Sequence, residues 1–330
     1  MNAHKLMETP LRIWARESWT GELLRACRRC AREFWALARC EEVTFPNVKQ
    51  LTESVAALRP RASDAANGER DTESPIFLLA TGWRTGSTLL QRMLVTDPHL
   101  LLWGEPLGEL TLVTRIAEVL NQFSTFPHNE ITYIQDDLTS SRMATSWIAT
   151  LCPPAHDLRL ALRSLFDRWL GEPARHRGFA RWGFKEVRLG ATEASLLHWL
   201  YPRAKFVILS RHPYDCYRSF ADARWQVYYR RPDVRVDSAA GFARHWNRLA
   251  VSWSELPEGF PSIHIKYEDL INGKVDFREL ESWLGIEIKE NVALSASVGR
   301  TAVRNRLSWY ERLIIGHEAA GGMHALGYSK

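Results

Sequence analysis

The sequence predicts an α/β fold: a central parallel β-sheet flanked by helices, preceded by a helical extension. Two observations carry this. Short apolar runs, several almost continuously apolar, alternate with stretches of helical period between residues 76 and 267. Near-continuous apolar runs suit strands buried on both faces, as parallel strands are. The first run also ends in a glycine-bracketed turn that opens a helical pattern, and in such sheets ligands gather beyond the carboxyl ends of the strands. A chain of 330 residues with 45% apolar content is long enough to bury such a core as one large domain or two small ones.

Taken in order, the first segment places Leu23, Cys27, Cys30, Phe34 and Leu37 on one helical stripe flanked by arginines. That stripe suits a helix docked on the main domain or on a second copy of the chain as a homodimer. A peripheral contact of its basic face with an anionic membrane is the alternative. The CRRC pair within it lacks a second pair at ligand spacing, so zinc is not expected. The stretch RPRASDAANGERDTESP, residues 59–75, has almost no apolar content and reads as an exposed linker. The boundary follows: an extension with linker over 1–71, and the main domain over 72–330.

The strands are expected at IFLLAT (76–81), LLLW (100–103), WGFKEV (182–187), KFVILS (205–210) and SIHIKY (262–267). PLGELTLVTRIAEVL and PYDCYRSFADARWQVYY supply helices after the second and fourth. Trp246 and Trp253 sit at helical spacing and are expected in the core.

Charge and composition exclude several classes. The net charge of +5 is mild and dispersed, so nucleic acid is not an expected partner. A polyanionic cofactor would account for it. No apolar run is long enough to span a bilayer, and the first residues carry charges where a secretory signal needs its apolar centre. Five cysteines, an odd number spread over a long chain, do not make a disulfide framework. The expected location is the cytoplasm.

The chemistry begins at TGWRTGSTLL. Gly82 and Gly86 allow a tight turn and close approach of the backbone to a ligand. Ser87, Thr88 and the amides behind them would form the amino end of a helix, which favours anions. Nucleotide triphosphatases carry a lysine in this loop, yet Ser87 stands in its place and the positive charge comes from Arg84. The fourth strand, FVILSRHP, ends in Ser210 and Arg211 rather than the aspartate that holds magnesium in many phosphoryl transferases. Both ends therefore suit a bare anion.

These two segments resemble the signature segments of the sulfotransferases that use 3′-phosphoadenosine-5′-phosphosulfate. Arg84, Thr85, Gly86, Ser87 and Thr88 match that family's loop for the 5′-phosphosulfate. Arg211 and Ser219, separated by seven residues, match its 3′-phosphate segment. IKYEDL (265–270) is similar to a further run common in the family, and WGEP recurs in its carbohydrate and tyrosyl branches. The resemblance runs from about Ile76 to Tyr328. It implies a P-loop-type α/β domain and metal-independent, in-line transfer of a sulfuryl group to a hydroxyl or amine.

For the acceptor proton the resemblance implies Glu105 as base, with Glu186 as runner-up. Glu105 precedes Pro106, which places it beside an expected helix start, where a helix dipole would lower its pKa. The cytosolic branch uses a histidine shortly after a lysine; KEVR has none. Lys185 stands late in an apolar strand, where a buried ammonium needs a partner, either a phosphosulfate oxygen or a neighbouring carboxylate. Trp83 is the aromatic residue singled out to stack on adenine or acceptor. A carbohydrate or small natural product is the expected acceptor, with a peptide tyrosine as alternative. A metal-dependent small-molecule kinase and a nucleotide-binding regulator without chemistry are the rival classes.

Overall fold

A computed structural model describes residues 48–57, 73–106, 108, 111–121, 155–222, 236–289 and 306–329, with isolated helical positions between 24 and 35 and at 144 and 145. The polar stretch expected as a linker lies, up to residue 72, outside the described residues, as do the continuation of the second expected helix beyond Asp222 and Leu23 and Leu37 of the amino-terminal stripe.

All five expected strands are present: β1 Ile76–Ala80, β2 Leu100–Trp103, β3 Arg181–Glu186, β4 Lys205–Ser210 and β5 Ser262–Lys266. They pair in parallel in the order β2-β3-β1-β4-β5. β1 is central and buried at every position. Its alternate side chains serve two different cores, as the strand's period of two requires. Ile76, Leu78 and Ala80 face one apolar cluster, while Phe77 and Leu79 face the other. Gly183 in β3 is what lets the strands close here, because a Cβ at that position would lie 1.7 Å from the carbonyl oxygen of Ile76.

Helices cover both faces. On the first lie α2 (Ser87–Leu94), α7 (Pro213–Asp222), α8 (Ala239–Ser252), α10 (Phe277–Leu284), α11 (Trp309–Glu318) and α12 (Ala320–Ala325), with the short α9 (Tyr267–Ile271) following β5. On the second lie α1 (Val48–Ala57), α3 (Leu112–Asn121), α4 (Ala155–Phe166), α5 (Glu172–Arg175) and α6 (Ala191–Leu200). A π-helical turn, Asp167–Gly171, joins α4 to α5. Trp246 is fully buried and Trp253 is 7% exposed, as their spacing predicts.

The extension is tied to this body. Val48 and Leu51 of α1 belong to the second core. Glu33 is buried, and its carboxylate accepts from the N–H groups of Ala239 and Ala240 at 2.6 and 3.1 Å, at the amino end of α8. Cys27 and Cys30 are exposed free thiols. Among the described residues no helix is long and apolar enough to cross a membrane.

One helix differs from expectation. The sequence pattern runs unbroken from Pro106, but the α-helix begins only at Leu112. Gly108 and Thr111 have φ of 44° and 47°. Left-handed residues cannot continue a right-handed helix, so the chain turns before α3 starts.

Candidate active site

The loop after β1 forms one wall of the site. Arg84 has φ of 65°, and Gly86, at 91°, is the residue from which α2 starts. Gly86 can be nothing larger: a Cβ there would lie 2.3 Å from two ring carbons of Tyr267. Thr85 is fully buried and its hydroxyl donates to the carbonyl of Gly82 at 3.2 Å, which closes the turn from within. Ser87 and Thr88 occupy the first turn of α2, whose leading N–H groups have no acceptor inside the helix. This amino end faces outward beside the exposed Arg84 and Thr88.

The loop and the segment after β4 come together. Arg84 Nε donates to Ser219 Oγ at 3.0 Å, across 135 residues. Arg211 Nη1 donates to the carbonyl of Arg84 at 3.0 Å, and its guanidinium carbon lies 4.3 Å from the centre of the Tyr267 ring. Three separate sequence motifs thus share one patch: TGWRTGST, SRHP with Ser219, and IKYEDL. Beside it, a basic cavity of about 410 Å³ opens between α7 and α11, lined by His212, Tyr214, Arg218, Arg306 and Arg312 among others.

Glu105 and Lys185 form a second group. Glu105 follows β2, and Lys185 Nζ donates to its Oε1 at 2.5 Å. Arg188 Nη1 donates to Glu105 Oε2 at 2.6 Å and to Glu186 Oε1 at 2.7 Å. Lys185, Glu186 and Arg188 are all buried. The partner that a buried Lys185 requires is here a carboxylate. Burial pushes the Glu105 carboxyl up, but Lys185 and Arg188 outweigh it and hold it below its ordinary value. The α-helix expected to start at Pro106 begins at Leu112, and the carboxylate meets two cations. Glu186 behaves oppositely: burial, with Glu105 nearby, holds it above the usual carboxylate value despite Arg188.

Arg188 joins this group to the loop, its guanidinium carbon 5.4 Å from the centre of the Trp83 ring. Trp83 is 3% exposed and also packs on His245, ring centres 4.6 Å apart. It is a floor beneath the site, not a free stacking wall. Arg188 itself went unassigned in the sequence. The signal was present in KEVR, a second basic residue just past a strand end that already carried Lys185.

A third network steadies the end of β4. Ser210 Oγ lies 2.9 Å from His264 Nε2 and 3.0 Å from Tyr328 Oη. The Tyr328 hydroxyl donates to Glu268 Oε2 at 3.1 Å, and Glu268 Oε1 accepts from the N–H of His212 at 2.9 Å. The residues on either side of Arg211 are thereby pinned to β5, α9 and the end of the chain.

The donor set suits a polyanion. Exposed and half-buried side chains of Arg, Ser and Thr line the loop patch, and Arg211 Nε, Arg188 Nε and Thr81 Oγ1 are buried without a hydrogen-bond partner among the described residues. A phosphosulfate and a ribose phosphate offer acceptors for such donors. Near Glu186 a cavity of about 10 Å³, room for roughly one water, is lined by apolar and aromatic side chains including Leu112, Phe166, Trp169 and Phe184.

The sequence profile of a family described as "Sulfotransferase family" matches residues 75–290. Among solved structures, a sulfotransferase from Alicyclobacillus acidocaldarius is similar at 17% identity with a TM-score of 0.43, over 77% of this chain and 95% of that one. A sulfotransferase domain from the curacin biosynthetic pathway is similar at 18% identity with a TM-score of 0.45, over 78% of this chain and 98% of that one. A sulfotransferase from Mycobacterium avium is similar at 15% identity with a TM-score of 0.39, over 85% and 86% of the two chains. No curated protein sequence matches the chain.

Proposed function

The chain belongs to the sulfotransferase family, and from that premise we propose that residues 72–330 catalyse transfer of a sulfuryl group from 3′-phosphoadenosine-5′-phosphosulfate to a hydroxyl of a carbohydrate or small natural-product acceptor. The observation that supports it most is the placement of Glu105, bracketed by Lys185 and Arg188, at the sheet end that also carries the anion loop.

When bound, the cofactor would supply the sulfuryl group and the bisphosphate leaving group. The chain's own residues divide the remaining work. Arg84 and Thr88 bind the phosphosulfate end through their side chains, and Thr85, Gly86 and Ser87 through the backbone N–H groups at the amino end of α2. Arg211 and Ser219 bind the 3′-phosphate. Lys185, itself buried, offsets the negative charge that gathers where the sulfuryl group leaves. Glu105 accepts the acceptor's proton. The loop and the end of β4 are fixed by the hydrogen bonds described above, so these donors are oriented before ligand arrives.

Glu186 has one property a base needs, a raised proton affinity. It is also 3% exposed and committed to Arg188 and to the N–H of Val187 at 2.7 Å. Glu105, less buried, is the better placed of the two to meet an acceptor.

The test uses cofactor carrying radiolabelled sulfate with a panel of saccharides, phenols, alcohols and tyrosine peptides. Label should pass to an acceptor, and Glu105→Gln should cut turnover by about 10²- to 10⁴-fold, the range for a lost base, with cofactor affinity nearly unchanged. A Glu105→Gln protein with wild-type turnover, product release being shown not to limit, would move the base to Glu186.

A further inference from the structure

Glu105 sits between β2 and α3 at the start of a turn that the N–H of Gly108 closes on its carbonyl at 3.1 Å. Its side chain is 23% exposed, and both carboxylate oxygens are engaged, Oε1 by Lys185 and Oε2 by Arg188. Those two side chains hold the carboxylate where the turn alone would leave it free to rotate. They differ in what holds them. Lys185 has an assigned second duty toward the donor's phosphosulfate. Arg188 is fixed from behind, by Glu186 at 2.7 Å and by the face of Trp83, and Glu186 is in turn fixed by the Val187 N–H.

We propose that Arg188 is the positioning residue for Glu105, and that Glu105 becomes a stronger base when the donor's charge arrives beside Lys185. The inference rests on the reading of Glu105 as the base. Among the described residues the charged groups facing Glu105 are Lys185 and Arg188, with Glu186 behind Arg188. Two carboxylates and two cations make a formally neutral cluster. An anion placed against Lys185 tips that balance to negative, and added negative charge near a carboxylate raises its affinity for a proton. As Lys185 turns its hydrogen bonds toward the phosphosulfate, Arg188 alone keeps Glu105 in position. The acceptor's proton therefore has a strong recipient only when the donor is in place. The burial of the cluster makes the coupling stronger than it would be in water.

The experiment reads Glu105 directly, without turnover. Protein labelled with ¹³C at the glutamate carboxyl carbons is titrated by NMR, and the Glu105 signal is assigned by its loss in Glu105→Gln. Arg188→Gln alone would strand the buried Glu186 and could unfold the chain. The main variant is therefore the pair Glu186→Gln with Arg188→Gln, which leaves two neutral amides of similar size, checked by thermal unfolding. In the wild-type protein the Glu105 midpoint should lie below the ordinary carboxylate value. It should rise by about one pH unit or more in the double variant, as expected for losing an adjacent opposite charge. Saturating 3′,5′-adenosine bisphosphate should also raise it in the wild-type protein, and Arg188→Lys should restore most of the depression. A midpoint that moves neither in the folded double variant nor with the bisphosphate overturns the proposal. Failure of the base reading shows separately, as turnover that survives Glu105→Gln, and the titration is indifferent to that result.

Discussion

Arg211 and Glu105 show what single residues contribute. The Arg211 side chain donates to the loop backbone and lies on the Tyr267 face, and among the described residues its Nε has no partner. A charged hydrogen-bonding partner is worth about 1.5–3 kcal/mol. Arg211→Ala should therefore weaken the true cofactor by about 10- to 150-fold and scarcely alter binding of adenosine 5′-phosphosulfate, which lacks the 3′-phosphate. Calorimetric dissociation constants for both ligands would show it, and equal losses would mean Arg211 is structural. Glu105 carries a pH signature. Its folded-state proton affinity is depressed, so the stability it contributes is present above the unfolded carboxylate value of about 4.3 and is lost as pH falls below that through the folded value. Urea unfolding followed from about pH 5 down to about pH 3, which spans the unfolded value and the pH below it, should show a shallower acid-side loss in Glu105→Gln than in wild type. Both residues were legible in the sequence as chemistry-bearing ends of strands. Arg188 was signalled in KEVR only as a second basic residue past a strand end; that it meets Glu105, 83 residues away in the chain, is a contact no local pattern shows.

At the scale of elements, β1, β2 and β4 were legible as nearly continuous apolar runs. By contrast, β3 and β5 carry polar residues within the strand and were placed by the alternation of strand and helix. The start of α3 was not. Apolar periodicity continues through residues 106–111, yet Gly108 and Thr111 are left-handed, and backbone handedness is not written in an apolar pattern. The cations Lys185 and Arg188 hold the Glu105 carboxyl below its ordinary value, and α3 starts seven residues further on. The end of β4 depends on contacts no local pattern reveals. Ser210, His264, Tyr328 and Glu268 meet from four places in the chain. Tyr328→Phe removes the hydroxyl that links Ser210 to Glu268, two hydrogen bonds of which one goes to a carboxylate, and should cost about 1–3 kcal/mol of stability. It should also weaken cofactor binding, since Arg211 follows Ser210 directly. Thermal unfolding and cofactor titration of the same variant test both, and unchanged affinity would show that the network does not set the position of Arg211.

For the whole molecule, the parallel order β2-β3-β1-β4-β5 puts the ends of β3, β1 and β4 side by side. That order converts three distant motifs into one patch, with Lys185, the loop and Arg211 on adjacent strands. The class of fold was legible from the alternation of strand and helix; the order was not, because parallel neighbours are chosen by packing across long connections. The extension was expected as a helix docked on the main domain or on a second copy; Val48, Leu51 and Glu33 are tied into the main body. The central claim is that this patch was built for a metal-free phosphosulfate nucleotide, and thermal unfolding with 3′,5′-adenosine bisphosphate tests it most directly. At 100 times its dissociation constant the bisphosphate should stabilise the fold by about 2.7 kcal/mol, equally with magnesium and with a chelator. Stabilisation that requires magnesium and a nucleoside triphosphate, with none from the bisphosphate, would contradict the account.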